Sequence, residues 1–276
     1  MSYYTIKKIR PSIYTINDPL GVYCYFVAGK EKGLLFDTGH GIAPLKPVIS
    51  QFFDKPYEVV LSHGHWDHTA GAYEHEQVWL HPEDKELFNR HLSRDIREII
   101  AGMYEELLIN NQPDDANVLN PYLVETFNRD EYLQLENDVD IKDLEYFQTF
   151  DLGGIHAQII DMKGHTPGSV GLLIKEEKLL LTGDAANAHC WMFLEDSLPI
   201  SRYIEMLKKV NELDFETFLA SHADDIFPKA DIEKYMNVAQ KIDMSKAKPY
   251  GYKFEQLGGY LFEENGVGIV FDPRRL

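Results

Sequence analysis

Short apolar runs bounded by Gly, Pro, Asn and Asp alternate along this 276-residue chain with longer stretches of helical periodicity. Near the amino end the runs cover residues 5–9, 13–16, 22–27 and 34–36, and the Pro, Asn-Asp and Gly signals between them predict successive strands. Residues 44–53 are predicted as a short helix and 58–62 as a strand. From 82 to 110, Leu92, Ile96, Ile99, Ile100, Met103 and Leu107 recur at helical spacing and form one apolar stripe, which Pro113 terminates. Residues 114–143 are polar and irregular, rich in Asp, Asn and Glu. Strands return at 157–161, 170–174 and 178–181. Predicted helices at 201–213 and 230–244 then flank a strand at 217–220, and 250–262 and 266–271 close the chain as β structure. This alternation predicts an α/β fold, an αββα sandwich of two mixed sheets packed face to face with helices outside. No linker or low-complexity segment divides the chain, so 1–276 reads as a single domain with a helical and irregular insertion at about 82–143.

Several of these strands end on side chains that bind metals. In Leu61-Ser62-His63-Gly64-His65-Trp66-Asp67-His68, three imidazoles and a carboxylate crowd together. His63 and His65 are two apart, so an extended segment projects both from one side. Asp67 and His68 follow and reach a second ion if the chain turns into a loop or helix start there. Imidazole with carboxylate suits zinc and neighbouring first-row metals. Gly164-His165-Thr166-Pro167-Gly168-Ser169 follows an apolar run and offers a histidine in a Pro/Gly turn. Leu179-Leu180-Leu181-Thr182-Gly183-Asp184 ends a buried-strand pattern at an acidic residue, and Phe218-Leu219-Ala220-Ser221-His222 repeats the design. A rigid sheet edge holds coordinating atoms more accurately than a loop does. Asp37, in Leu34-Leu35-Phe36-Asp37-Thr38-Gly39, fits either a turn residue bonded to its own backbone or a group that orients a ligand. His40 is a weaker candidate, and His75, His81, His91 and His156 read as ordinary surface or core residues.

These motifs together resemble the metallo-β-lactamase-fold hydrolase superfamily over nearly the whole chain. His63-x-His65-x-Asp67-His68 is similar to its signature, His165, Asp184 and His222 follow in the expected order, and Asp37-Thr38-Gly39 resembles its early turn. The resemblance implies that His63, His65 and His165 bind one metal, that Asp67, His68 and His222 bind the other, and that Asp184 bridges them. The flavodiiron branch has Glu at the second motif position, where this chain has His65. Two divalent ions are implied, with Zn2+ favoured by the His-rich set and Mn2+ or Fe compatible with it. A bridging water between two such ions loses its proton near neutral pH, and the resulting hydroxide attacks a carbonyl or phosphoryl centre. Asp67 is then both a ligand and the catalytic residue that orients the nucleophile.

Charge narrows the substrates. With 27 basic against 45 acidic residues the net charge is −18, which repels polyanions and argues against a nuclease that grips a nucleic-acid backbone. The 44% hydrophobic content suffices for one large core or two fused halves. Two cysteines, Cys24 and Cys190, are too few for a disulfide framework. Residues 1–10 lack an apolar stretch of signal-peptide length, and no window approaches a membrane span, so a cytoplasmic protein off the membrane is expected.

The expected activity is hydrolysis of a small ester, lactone, thioester or phosphodiester. The insertion at 82–143 is a candidate pocket wall or a plain packing element. Ala188-His189-Cys190-Trp191-Met192-Phe193 either lines an apolar pocket or packs under the following helix. Tyr73 and Tyr104 are weak candidates for donors to a developing charge. Two alternatives belong to other classes. Some relatives with the first motif oxidise glutathione persulfide at a single iron, but they lack a working second site, and this chain retains His68 and His222. A metal-binding sensor without turnover would be favoured by loss of the nucleophile-orienting residue, yet Asp67 is present. A true β-lactamase usually requires export.

Overall fold

Seven strands of the amino-terminal part form one sheet in chain order: β1 (Thr5–Lys8), β2 (Ile13–Asp18), β3 (Val22–Ala28), β4 (Gly33–Phe36), β5 (Tyr57–Val60), β6 (Gln77–Leu80) and β7 (Asp140–Asp143). The computed structural model describes residues 3–113, 119–136, 138–251 and 258–276. The chain divides into two compact units, Met1–Leu80 with Lys85–Lys142, and His81–Asp84 with Asp143–Leu276. The first four strands pair antiparallel, and β4 and β5 then run parallel, with Phe36 opposite Val60. β4 is buried throughout, as its uninterrupted apolar run requires of a central strand, whereas edge strand β1 turns Lys7 and Lys8 to solvent. The strands expected at 5–9, 13–16, 22–27, 34–36 and 58–62 are thus present. β6 and β7 are additions to that expectation: β6 is four residues long with two buried, and β7 is a polar edge.

The helix expected at 44–53 is α-helical only as α1 (Lys46–Ile49) and continues to Phe53 as hydrogen-bonded turns. After α2 (Trp66–Thr69), the helix expected at 82–110 is two helices, α3 (Lys85–His91) and α4 (Arg94–Asn110). The break falls at Ser93, whose extended backbone starts α4 afresh. α4 buries Arg97, Ile100, Ala101 and Tyr104, so its buried face is turned from the purely aliphatic stripe. Arg97 contributes because its guanidinium lies over the Tyr132 ring, 5.2 Å from the centroid. Within 114–143, Asn128 caps α5 (Arg129–Leu133) with its side-chain oxygen, and residues 114–118 and 137 lie outside the described residues.

The second unit has two sheets. β8 (Thr149–Asp151), β9 (His156–Asp161), β10 (Val170–Ile174), β11 (Leu179–Leu181), β13 (Thr217–Leu219) and β14 (Phe227–Pro228) form a six-stranded sheet in the order β14-β13-β11-β10-β9-β8. β11 and β13 are parallel, with Leu181 opposite Leu219. The other sheet is β12-β17-β16-β15, from β12 (His189–Met192), β15 (Lys248–Gly251), β16 (Gly258–Glu264) and β17 (Val267–Phe271). Part of the β structure expected at 250–262 lies outside the described residues. α6 (Ile200–Asn211) and α7 (Ile232–Gln240) pack together, and α7 covers β16 and β17. Their buried tyrosines reach one short turn: the Tyr203 hydroxyl donates to the carbonyl of Ala185 at 2.7 Å and that of Tyr235 to Ala186 at 2.9 Å. Among the described residues no helix is long and apolar enough to cross a membrane.

Each unit has its own apolar core. Cys24 belongs to the first and Cys190 to the second, both reduced, and burial pushes the Cys190 thiol up to about 12 and that of Cys24 well above its usual value. A thiolate is the reactive form, so both cysteines are inert in the native protein. Titration with a chromogenic disulfide at neutral pH is expected to label neither thiol before denaturant is added and both afterwards.

Candidate metal centre

The amino-terminal ligand set grows from the ends of two parallel strands. Past β4 and β5 the backbone pairing continues, as Asp37 donates its amide to the carbonyl of Val60 at 2.9 Å. Asp37 then enters the left-handed region, φ +68°, which Asp tolerates better than most residues. That turn brings its carboxylate to Ser62. Asp37 Oδ1 accepts from the Ser62 amide at 2.6 Å, and Oδ2 accepts from Ser62 Oγ at 2.8 Å and from His68 Nδ1 at 2.9 Å. Ser62 Oγ uses its one hydrogen in the bond to the carboxylate, so it accepts from His63 Nδ1 at 2.9 Å. One carboxylate therefore fixes two imidazoles. The neighbouring Thr38 pins α2, donating its amide and hydroxyl to the His68 carbonyl at 2.8 and 3.0 Å. Residue 71 must be glycine for this approach, since a Cβ there would lie 2.4 Å from the Thr38 carbonyl oxygen.

The four candidate ligands of this unit converge. His63 Nε2 and His65 Nδ1 are 3.0 Å apart, the His63 and His68 ring centres 4.2 Å, and His68 Nε2 lies 3.5 Å from Asp67 Oδ2. α2 makes this possible: His65 stays extended before the helix, and its first turn carries Asp67 and His68. The Thr69 hydroxyl ties the two segments, donating to the His65 carbonyl at 2.9 Å.

In the second unit the same device recurs. Thr182 continues the β11–β13 pairing, donating its amide to the Leu219 carbonyl at 2.9 Å, and the chain then turns through Gly183 at φ +54° into Asp184. Asp184 Oδ2 lies 3.6 Å from His165 Nε2, and its Oδ1 lies 3.3 Å from His222 Nε2. Asn187 ties two of these groups, donating to Asp184 Oδ1 at 3.0 Å and accepting from the His222 amide at 3.2 Å. His165 Nδ1 donates to the carbonyl of Trp191 at 2.6 Å.

The turn that carries His165 is held from far away in sequence. Asp84 is fully buried, and its carboxylate accepts from Thr166 Oγ1 at 2.6 Å and from the Gly168 amide at 2.7 Å. Within the turn itself, Ser169 Oγ accepts the Thr166 amide at 3.1 Å.

Three imidazoles, His63, His68 and His165, thus commit Nδ1 to an acceptor, which makes Nε2 the basic nitrogen in each. That is the tautomer in which histidine binds a divalent cation. Asp67 adds a carboxylate in the first unit and Asp184 one in the second, so each unit offers nitrogen and oxygen donors only, which suits zinc, manganese or iron. The residues fit a divalent metal.

The remaining candidates have other tasks. The Asp37 carboxylate accepts from Ser62 and His68 rather than from its own turn. His40 pairs with Asp18, whose Oδ2 accepts from its Nδ1 at 3.1 Å and its amide at 3.2 Å, and its ring packs edge-on against Trp66. Burial opposes the charge on Asp18, but His40 and the amides of Leu20 and His40 hold its carboxyl below the usual range. The hydroxyls of Tyr73 and Tyr104 donate to the carbonyls of Gly41 and Tyr122. In the 188–193 segment, Cys190 and Met192 enter the core. Four further contributors have no place among the sequence candidates: Ser62, Asp84, Asn187 and the Trp191 carbonyl. Ser62 adjoins His63, which is a usable signal, whereas Asp84 stands 82 residues before Thr166 and a backbone carbonyl has no side-chain signature.

The sequence signature of the metallo-beta-lactamase superfamily matches residues 17–257, and the chain belongs to that superfamily. A metallo-beta-lactamase from Pontibacter korlensis superposes with a TM-score of 0.60 at 15% identity, covering 87% of this chain and 100% of that one. A metallo-beta-lactamase family protein from Thermus thermophilus gives 0.54 at 19% identity, covering 84% and 81%. The mixed α/β fold is that of the metallo-β-lactamases. Among curated relatives, the probable metallo-hydrolase YqgX of Bacillus subtilis is 22% identical over 60% of this chain and 66% of its own length, just under two thirds. The human acyl-coenzyme A thioesterase MBLAC2 is 24% identical over 77% of each chain. The hydroxyacylglutathione hydrolase GloC of Haemophilus influenzae is 24% identical over 46% of this chain and 48% of its own.

Asparagine tolerates the left-handed turn at position 37 but cannot act as a charged acceptor for two donors. Asp37→Asn is expected to keep the fold and to weaken binding of an added divalent metal by about 10- to 100-fold in a chelator competition, the usual cost of losing a group that orients a ligand. Asp84→Ala strands the buried Gly168 amide and leaves the Thr166 hydroxyl only Ser169 Oγ, and is expected to lower stability by about 1–3 kcal/mol in urea unfolding.

Proposed function

We propose that the two ligand sets act as one dinuclear centre of a metal-dependent hydrolase. In this reading His63, His65 and His165 hold one divalent ion, Asp67, His68 and His222 hold the other, and Asp184 binds both. The observation that carries it is the orientation of Asp184: its two oxygens approach different imidazoles, His165 and His222, which the reading assigns to different ions. Bound divalent ions, most simply Zn2+, supply Lewis acidity for attack on a carbonyl or phosphoryl group. The chain's own groups do the rest. Asp67 orients the attacking water, Asp37 and Ser62 keep His63 and His68 in their binding tautomer, and Asn187 holds Asp184 in line with His222.

The substrate is a small ester, lactone, thioester or phosphodiester. Thioesters are favoured within this set, because MBLAC2 is named for acyl-coenzyme A and GloC for hydroxyacylglutathione, and both compounds join an acyl group to sulfur. Water adds to the acyl carbon, the carbon–sulfur bond breaks, and the products are a carboxylate and a thiol. The net charge of −18 disfavours a polyanionic chain as substrate.

Elemental mass spectrometry on protein purified without chelators tests this reading. Close to two zinc or manganese ions per chain are expected, and Asp184→Ala should lose metal from both positions while hydrolysis of an ester-to-phosphodiester panel falls by about 100-fold or more. A single iron per chain, or an Asp184→Ala variant with full metal and full activity, overturns it.

A further inference from the structure

The four-stranded sheet of the second unit has two unlike faces. On one, Cys190, Met192, Ile269 and Phe271 enter the core beneath α6 and α7. Alternation along the strands sends Trp191 and Val270 to the other. There they join Phe193, Leu194, Leu261 and Tyr250 in a separate apolar cluster.

Its three rings pack edge to face. Trp191 and Phe193 have centres 5.5 Å apart at 67°, Phe193 and Tyr250 6.0 Å at 69°, and Trp191 and Tyr250 6.2 Å at 67°. Phe193 can lie over the strands because residue 259 is glycine: a Cβ there would come within 2.9 Å of Phe193 Cβ. Phe193 is buried, while Trp191 and Tyr250 are half-buried and present part of their rings. The side chains grouped there are aromatic and aliphatic. Along the strands it gives way to His189 and Glu263, 3.8 Å apart, so the apolar surface has a polar boundary. It also adjoins the candidate metal centre through the backbone, since the carbonyl of Trp191 is the acceptor for His165 Nδ1.

We propose that the Trp191–Phe193–Tyr250 platform is the acyl-tail subsite of this protein and takes the apolar chain of an acyl thioester. The proposal rests on the hydrolase reading above, which places the thioester carbonyl at the ligands that include His165. Ring faces and edges offer area and dispersion contact to an unbranched hydrocarbon but no partner for a charge, so a sugar or a charged acyl group would lose its hydration there without compensation. Each methylene buried adds roughly fourfold in affinity. Selection by tail length follows.

Two readouts test the platform, both on the full chain with its metal bound. The first is kcat/KM for acetyl-, octanoyl- and palmitoyl-coenzyme A. The value should rise with tail length, and Trp191→Phe and Tyr250→Ala should each lower the palmitoyl-to-acetyl ratio, by about tenfold for Tyr250→Ala. The second is tryptophan emission during titration with the non-hydrolysable thioether S-hexadecyl-coenzyme A. A shift is expected in the wild type and should be lost in Trp191→Phe, which keeps Trp66 and Trp79. Hydrolysis with no dependence on tail length and no emission shift overturns the platform and leaves the hydrolase reading standing. Thioether binding sensed by Trp191, without hydrolysis of any acyl-coenzyme A, supports the platform and sinks the thioesterase reading.

Discussion

The carboxylate of Asp37 is the constraint on which the arrangement of His63 and His68 depends. It is buried, it accepts three hydrogen bonds, and two of the chains of donors that end on it begin at imidazoles. A charged acceptor in a buried setting fixes its donors strongly, because a neutral acceptor makes a weaker bond and water is excluded. The cost is a left-handed backbone at residue 37, which the surrounding hydrogen bonds of Thr38 and Ser62 sustain. His63 and His68 are therefore set before any ion arrives.

The second unit solves the same problem with different residues. Both units end a pair of parallel strands at one edge, continue the ladder by one amide, and then turn an acidic residue at positive backbone angle or just after it. In the first unit the acid braces two imidazoles; in the second, Asp184 itself lies between two imidazoles while Asn187 does the bracing. Parallel strands suit this arrangement because both chains leave the sheet at the same edge and so deliver their side chains to one place.

How much of this is legible in the sequence depends on what carries the signal. Buried strands such as β3, β4 and β10 announce themselves by apolar runs, and the candidate ligands by residue type at strand ends. Helix limits in 82–110 are not legible, because an apolar stripe does not show a break at Ser93 and the buried Arg97 counts as polar in any pattern. β7 has too few apolar residues to register. Supporting groups are hidden for another reason. Asp37 reads two ways until its carboxylate is seen against Ser62 and His68, and Asp84 and the Trp191 carbonyl act over distances in sequence that no local motif spans.

The excursion of residues 81–84 into the second unit bears on how this protein could have been assembled and how it could be cut. A fragment beginning at Asp143 would contain His165, Asp184 and His222 but not Asp84, so the Thr166 hydroxyl and the Gly168 amide would have no carboxylate to meet. A cut between residues 84 and 143 would separate the turn that carries His165 from the carboxylate that anchors it. Its 82-residue separation makes the Asp84–Thr166 contact a long-range one, whose loop-closure entropy is lost before the hydrogen bonds are gained.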